Sequence, residues 1–118
     1  MEGAKLARVA ARLAAEMLAE EVTVLDLRGR SPLTDYFVLA TANSTVHSQA
    51  LAKAIEEKLR AAGERPHHVE GTATGHWVLL DYVDVVVHIF LGDVRHFYGL
   101  ERLWGDAPQE SYPTHHAH

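Results

Sequence analysis

Two apolar segments, Trp77–Tyr82 and Val85–Phe90, are separated only by Val83 and Asp84. So short a gap between strand-forming runs predicts a β-hairpin with its break near Val83. Side chains alternate along a strand, so the pairing sorts residues onto two faces. Trp77, Leu79 and Asp81 share one face; Val78, Leu80 and Tyr82 share the other. On the second strand Val85, Val87 and Ile89 form a uniform apolar row, which must face the core. Asp84, Val86, His88 and Phe90 form the opposite row, which is less deeply covered or lies beside a site. A sheet this apolar on one side needs helices over it.

The rest of the chain supplies them. Leu6, Val9, Leu13 and Met17 recur at helical spacing within Glu2–Glu20, with alanine between them. Val22–Arg28 reads as a β-branched strand, broken by Gly29, Ser31 and Pro32, and Asp35–Ala42 as its antiparallel partner. Asn43 and Ser44 can cap a helix whose apolar face is Val46, Leu51, Ile55 and Leu59, ending at Gly63. A right-handed crossover then leads to a short strand at Arg65–Gly71. Gly92 and Asp93 open a last helix that runs to Trp104. The order is α-β-β-α-β-β-β-α, an α/β class with a mixed sheet of about five strands flanked by helices. One domain is expected over residues 1–105, followed by a frayed polar tail over 106–118.

Composition narrows the function. The 118 residues suit one domain, and with 47% hydrophobic and 23% charged residues the core needs no staples. Zero cysteines exclude disulfides, thiolate zinc sites and thiol nucleophiles. A net charge of -5 is the wrong sign for gripping phosphates and the right sign for a basic protein partner. No segment reads as a signal peptide or a membrane span, so a cytoplasmic protein is expected.

Few residues look chemical. GxSxG, the Walker loop, GxGxxG and HExxH are all absent from the sequence. Asp81 and Asp84 could hold a divalent cation, but acids at a hairpin more often solvate the turn. His67, His68, Glu70, His76 and His88 are candidate metal ligands with nothing to make them converge, and no metal is expected. For His88 a hydrogen-bonded structural histidine is favoured over a ligand or catalytic role. Trp77 reads equally as a core aromatic or as an anchor for a partner, since Trp, Tyr and Arg dominate interface hot spots. On the last helix Phe97, Leu100 and Trp104 form one stripe, while Tyr98, Glu101 and Arg102 lean away. Arg95 and Tyr98 are the better candidates for exposure.

Several motifs together resemble one family. VLDLRGRSPLTDYFVLATANS, VEG, WVLLDYVDVVVHIF and RHFYGLERLW are similar to the ribosomal silencing factors, also called Iojap-like proteins. The resemblance runs from the first helix to Trp104. It implies a nucleotidyltransferase-like fold without enzymatic activity; the GS motif followed by a paired DxD is missing. It also implies binding to the large ribosomal subunit through ribosomal protein L-fourteen, which sterically blocks joining with the small subunit. Translation would thereby be repressed under nutrient limitation or in stationary phase. A homodimer is expected when free, with no cofactor, no DNA and no membrane. Carried onto this chain, the family motif centres the partner surface on Trp77, Asp81 and Tyr82, ringed by Asp84, Arg95 and Tyr98. Glu70, His88, Glu101 and Trp104 are then structural or peripheral. Val83 stands where the family usually has glycine, and a β-branched residue resists positive φ, so a different turn is expected. The alternative reading is a cryptic nucleotidyltransferase-like nucleotide-binding protein, motivated by the sheet order and the Asp81/Asp84 pair.

Overall fold

Alanine sets the distance between the first helix and the sheet. In a computed structural model that describes residues 1–114, without the side chains of residues 96–98, 100 and 101, helix α1 spans Gly3–Glu16. It buries Leu6, Ala7, Ala10, Ala11, Ala14 and Ala15. The methyl groups let its axis approach the strands closely, while Val9, Leu13 and Met17 are only half-buried at its flank. The helix stops short of the expected Glu20. Leu18 takes φ 68, and the Ala19 N–H donates to Ala14 O at 3.0 Å, a turn usually made by glycine.

Strand β1 (Glu20–Asp26) and strand β2 (Tyr36–Ala42) are antiparallel, as their short connection predicts. Helix α2 (Thr45–Ala61) is capped by Ser44, whose side chain accepts the His47 N–H at 3.0 Å. Its buried face is Ser48, Leu51, Ala52, Ile55 and Leu59; Val46, expected on that face, is 72% exposed. The helix ends as expected near Gly63, at φ 87.

Three strands follow: β3 (His68–Glu70), β4 (Trp77–Asp81) and β5 (Val85–Leu91). β4 and β5 form the expected hairpin, with Leu79 opposite His88 and Trp77 opposite Phe90. β5 then runs parallel to β2, with Phe37 beside Val86 and Leu39 beside His88. Gly71, between β3 and β4, has φ 83, and a Cβ there would fall 1.9 Å from Trp77 O, so only glycine fits.

The expected single helix from Gly92 to Trp104 is two. α3 (Gly92–Tyr98) ends at Gly99, which takes the left-handed conformation at φ 59 and ψ 41, and α4 (Leu100–Leu103) follows. The expected fraying of the tail also fails over part of its length. Gln109–Tyr112 form strand β6, antiparallel to β1, and the sheet has six strands in the order β3-β4-β5-β2-β1-β6. Four polar residues between two prolines carry little strand signal. The strand is specified by the open edge of β1, with the Asp26 N–H donating to Pro108 O at 2.9 Å.

The two sheet faces differ. The α1/α2 face holds the main core, with Val22, Val24, Val38, Ala40, Val78, Leu80, Val85, Val87 and Ile89. The other face holds a small cluster of Leu25, Leu27, Leu39, Phe90 and Ala107, against which Phe37, Trp77, Val94 and Trp104 pack. Among the described residues no helix is long and apolar enough to cross a membrane.

Candidate docking surface

The second face is only half covered. Residues from α3 to Ala107 close it at one end. Beyond Trp104 lies an open concavity of about 520 Å³, walled by Leu33, Phe37, Leu79, Val86, His88 and Trp104, with Asp81 and Val83 at its rim. Leu33 is 86% exposed and Val83 56%, so apolar side chains stand at the edge of the concavity beside the polar Ser31, Thr34, His67 and Asp81. Grouped exposed side chains of this size mark recognition surfaces more often than scattered ones do. Next to it Glu70, Gly71, Trp77 and Leu79 line a smaller hollow of about 270 Å³. Leu79 belongs to both, so the two form one surface along β4.

The aromatic groups under this surface hold one another in place. Trp77 Nε1 donates to His88 Nδ1 at 3.1 Å, and the Trp77 ring lies 5.7 Å from that of Phe90. Phe37 meets His88 edge-on at 4.6 Å and Trp104 edge-on at 6.5 Å. His88 is 5% exposed, and burial pushes its imidazole down to about 4 from 6.5, so the ring is neutral.

The hairpin turn places the acids. Val83 does adopt positive φ, at 73, despite its branched Cβ. The Asp84 N–H donates to Tyr82 O at 2.9 Å, which with that φ is a γ-turn of the strained kind. Asp81 Oδ1 accepts the Val83 N–H at 2.7 Å and so stays at the rim of the concavity. Asp84 leaves in the other direction. Its carbonyl accepts the N–H groups of Asp35 and Tyr36, both at 3.0 Å, and its Cβ lies beside Gly3 at the start of α1. The expectation that Asp84 shares a row with His88 is therefore corrected. Asp81 and Asp84 do not converge, and among the described residues no group of three or more His, Asp or Glu could hold a metal.

Two further expected contacts belong to the interior. Tyr82 is 9% exposed and packs in the core on the helix side, because it follows Asp81 by one residue and alternation turns it to the other face. Burial raises its phenol to about 12. Arg95, expected to be exposed, is 2% exposed. Its guanidinium donates to Glu21 O and, at 2.9 Å, to Thr41 Oγ1, and lies 5.7 Å over the Phe90 ring. It ties α3 to β1 and β2. Glu70 is exposed on the edge strand, and its carboxylate accepts from His68 Nε2 at 2.8 Å. The side chains of Tyr98 and Glu101 lie outside the described residues.

Of the expected centre, Trp77 and Asp81 stand on one surface, and Trp104 joins them. Sequence reasoning missed Leu33, Phe37, Leu79 and Val86. Leu79 was legible, since it lies between Trp77 and Asp81 on their face. Phe37 and Val86 become neighbours only through the parallel β2–β5 register.

Comparison with known proteins places the chain among relatives. The family described as "Ribosomal silencing factor during starvation" matches residues 1–118. The ribosomal silencing factor RsfS of Bacillus subtilis is 39% identical over 108 residues, 92% of each chain. The chloroplastic protein Iojap of Zea mays is 38% identical over 106 residues, 87% of this chain and 45% of that one. A crystal structure of a protein from Chromobacterium violaceum superposes with a TM-score of 0.85 at 34% identity, covering 89% of this chain and 88% of that one. One from Bacillus halodurans gives 0.79 at 33% identity, covering 92% and 99%.

Proposed function

We infer the function from one premise: the chain belongs to the ribosomal silencing factor family. The protein docks on the large ribosomal subunit, with ribosomal protein L-fourteen as its contact. It covers the surface that receives the small subunit and so represses translation in the cytoplasm when nutrients are short or growth has stopped. The action is steric, requiring affinity and placement rather than turnover.

The observation that carries this reading is the open apolar surface formed by Leu33, Phe37, Leu79, Val83, Val86 and Trp104, with Trp77 beside it. Its apolar floor suits a packed protein contact, and Asp81 at the rim suits a basic partner, as does the net charge of -5. Before it meets a ribosome, the protein pairs with a second copy through the same surface, which hides the patch from solvent.

Purified protein added to separated subunits tests this directly. Whole ribosomes should fall, in sucrose gradients, in proportion to the protein bound to large subunits. Normal joining at saturating protein would overturn the reading.

A further inference from the structure

Strand β3 sets a carboxylate beside Trp77. In the antiparallel β3–β4 register Glu70 stands opposite Leu79, and His68 opposite Asp81. Directly opposed residues share a face of the sheet. Glu70 and His68 therefore lie on the face that carries Trp77, Leu79 and Asp81. Trp77 is the diagonal neighbour of Glu70, and such pairs stand about 7–8 Å apart, within reach of long side chains. Together with Leu79 and Gly71 they line the hollow of about 270 Å³. Gly71, where no Cβ fits, adds no side chain to it. Glu70 is exposed, and its Oε1 accepts from His68 Nε2 at 2.8 Å, which steers the carboxylate. Among the described residues Oε2 has no partner. The indole of Trp77 is held by His88 Nδ1 and packs on the Phe90 ring, so its position is set before any partner arrives.

We propose that this hollow receives a lysine or arginine side chain of the basic partner. Its cation is accepted by the Glu70 carboxylate and lies over the Trp77 indole, while its methylenes rest on Leu79. An aromatic ring and a carboxylate on two sides of one hollow suit a cation with an apolar stem. An apolar group in the same place would strip water from Glu70 with nothing in return. Asp81 on the same face and the net charge of -5 act in the same direction. Glu70, expected at the periphery, thereby becomes a contact residue through the β3–β4 register. The proposal rests on the docking reading above and gives one contact within it a defined chemistry.

Affinity for purified large ribosomal subunits is the measurement, with the thermal midpoint of each variant beside it. Glu70→Gln keeps the size of the side chain and removes its charge. Glu57→Gln removes the same charge from an exposed position on α2, which covers the other face of the sheet. Glu70→Gln should weaken binding about tenfold, the effect of losing a charge-assisted contact at an interface. Glu57→Gln should weaken it about twofold or less, and the gap between the two should narrow as salt is raised. Equal effects would mean that net charge alone acts, and would refute the cation site. Parent-like affinity of Glu70→Gln would refute it as well, with docking left standing. Trp77→Phe keeps a ring but offers a cation a weaker face. If both side chains hold one cation, the double variant should lose less than the product of the two single factors. A full product would show that they do not share a group, and the proposal would fall. If the parent itself does not bind large subunits, the docking reading fails first and the cation site with it.

Discussion

Asp81 Oδ1 holds the Val83 backbone N–H at 2.7 Å while Val83 itself sits at φ 73. The carboxylate supports a turn whose residue is ill suited to it. Left-handed backbone costs an L-residue about 1–2 kcal/mol, more for a branched side chain. Val83→Gly removes that strain and loses only part of the gain to the freer unfolded chain. It should stabilise the protein by about 1 kcal/mol, read as a higher urea midpoint at unchanged slope. A lower midpoint would show that the turn carries no strain.

Arg95 tests the difference between a structural and a partner-facing cation. Its guanidinium holds Glu21 O and Thr41 Oγ1 beneath the surface. Arg95→Ala removes a buried donor from both acceptors and should cost about 2–4 kcal/mol in chemical denaturation. Any loss of subunit binding should follow the unfolded fraction. Undiminished stability with lost binding would reverse the assignment.

Leu33 makes the opposite prediction. At 86% exposure it has little folded-state burial to lose. Leu33→Ser should leave stability within about 0.5 kcal/mol while weakening subunit binding, as expected for a rim contact of an interface. Parent-like affinity would remove the loop that carries Leu33 from the docking surface.

Stability should respond to mild acid through His88. Folding lowers its imidazole to about 4 from 6.5, because burial disfavours the cation. Between those values the unfolded chain binds more protons, so stability rises with pH. The contribution, about 3 kcal/mol, is fully present above pH 6.5 and is lost as pH falls through 4. Unfolding free energies of the parent and His88→Asn across this window check it. Parallel curves would mean that another group dominates.

Strand β6 closes one sheet edge, and its removal has a defined consequence. Truncation after Pro108 leaves the outer backbone groups of β1 unpaired. The thermal midpoint should fall, and the shortened protein should aggregate faster on heating. A truncated protein as stable and soluble as the parent would make β6 an ornament of the fold.

The hairpin, the two long helices and the split of the sheet into two faces were legible in the sequence because periodicity reports burial directly. Leu79 and Asp81 follow Trp77 at two-residue steps, and that was enough to put them together. The same rule separates Tyr82 from them, and a motif that spans both faces hides this. Arg95 was misplaced because an arginine on a short helix has no local signature of burial; its partners, Glu21 and Thr41, are distant in sequence. β6 was missed because its strand character comes from β1 and not from its own residues. The concavity itself needs Phe37 beside Val86, which is a fact of register.

The unequal faces of the sheet divide the burden of selection. Nearly all the buried apolar residues lie between one face and α1 with α2, so folding is secured there. An exposed residue such as Leu33 can change with little penalty to the native state. The exposed part of the outward face is therefore free to drift, and a lineage can alter it without first gaining spare stability.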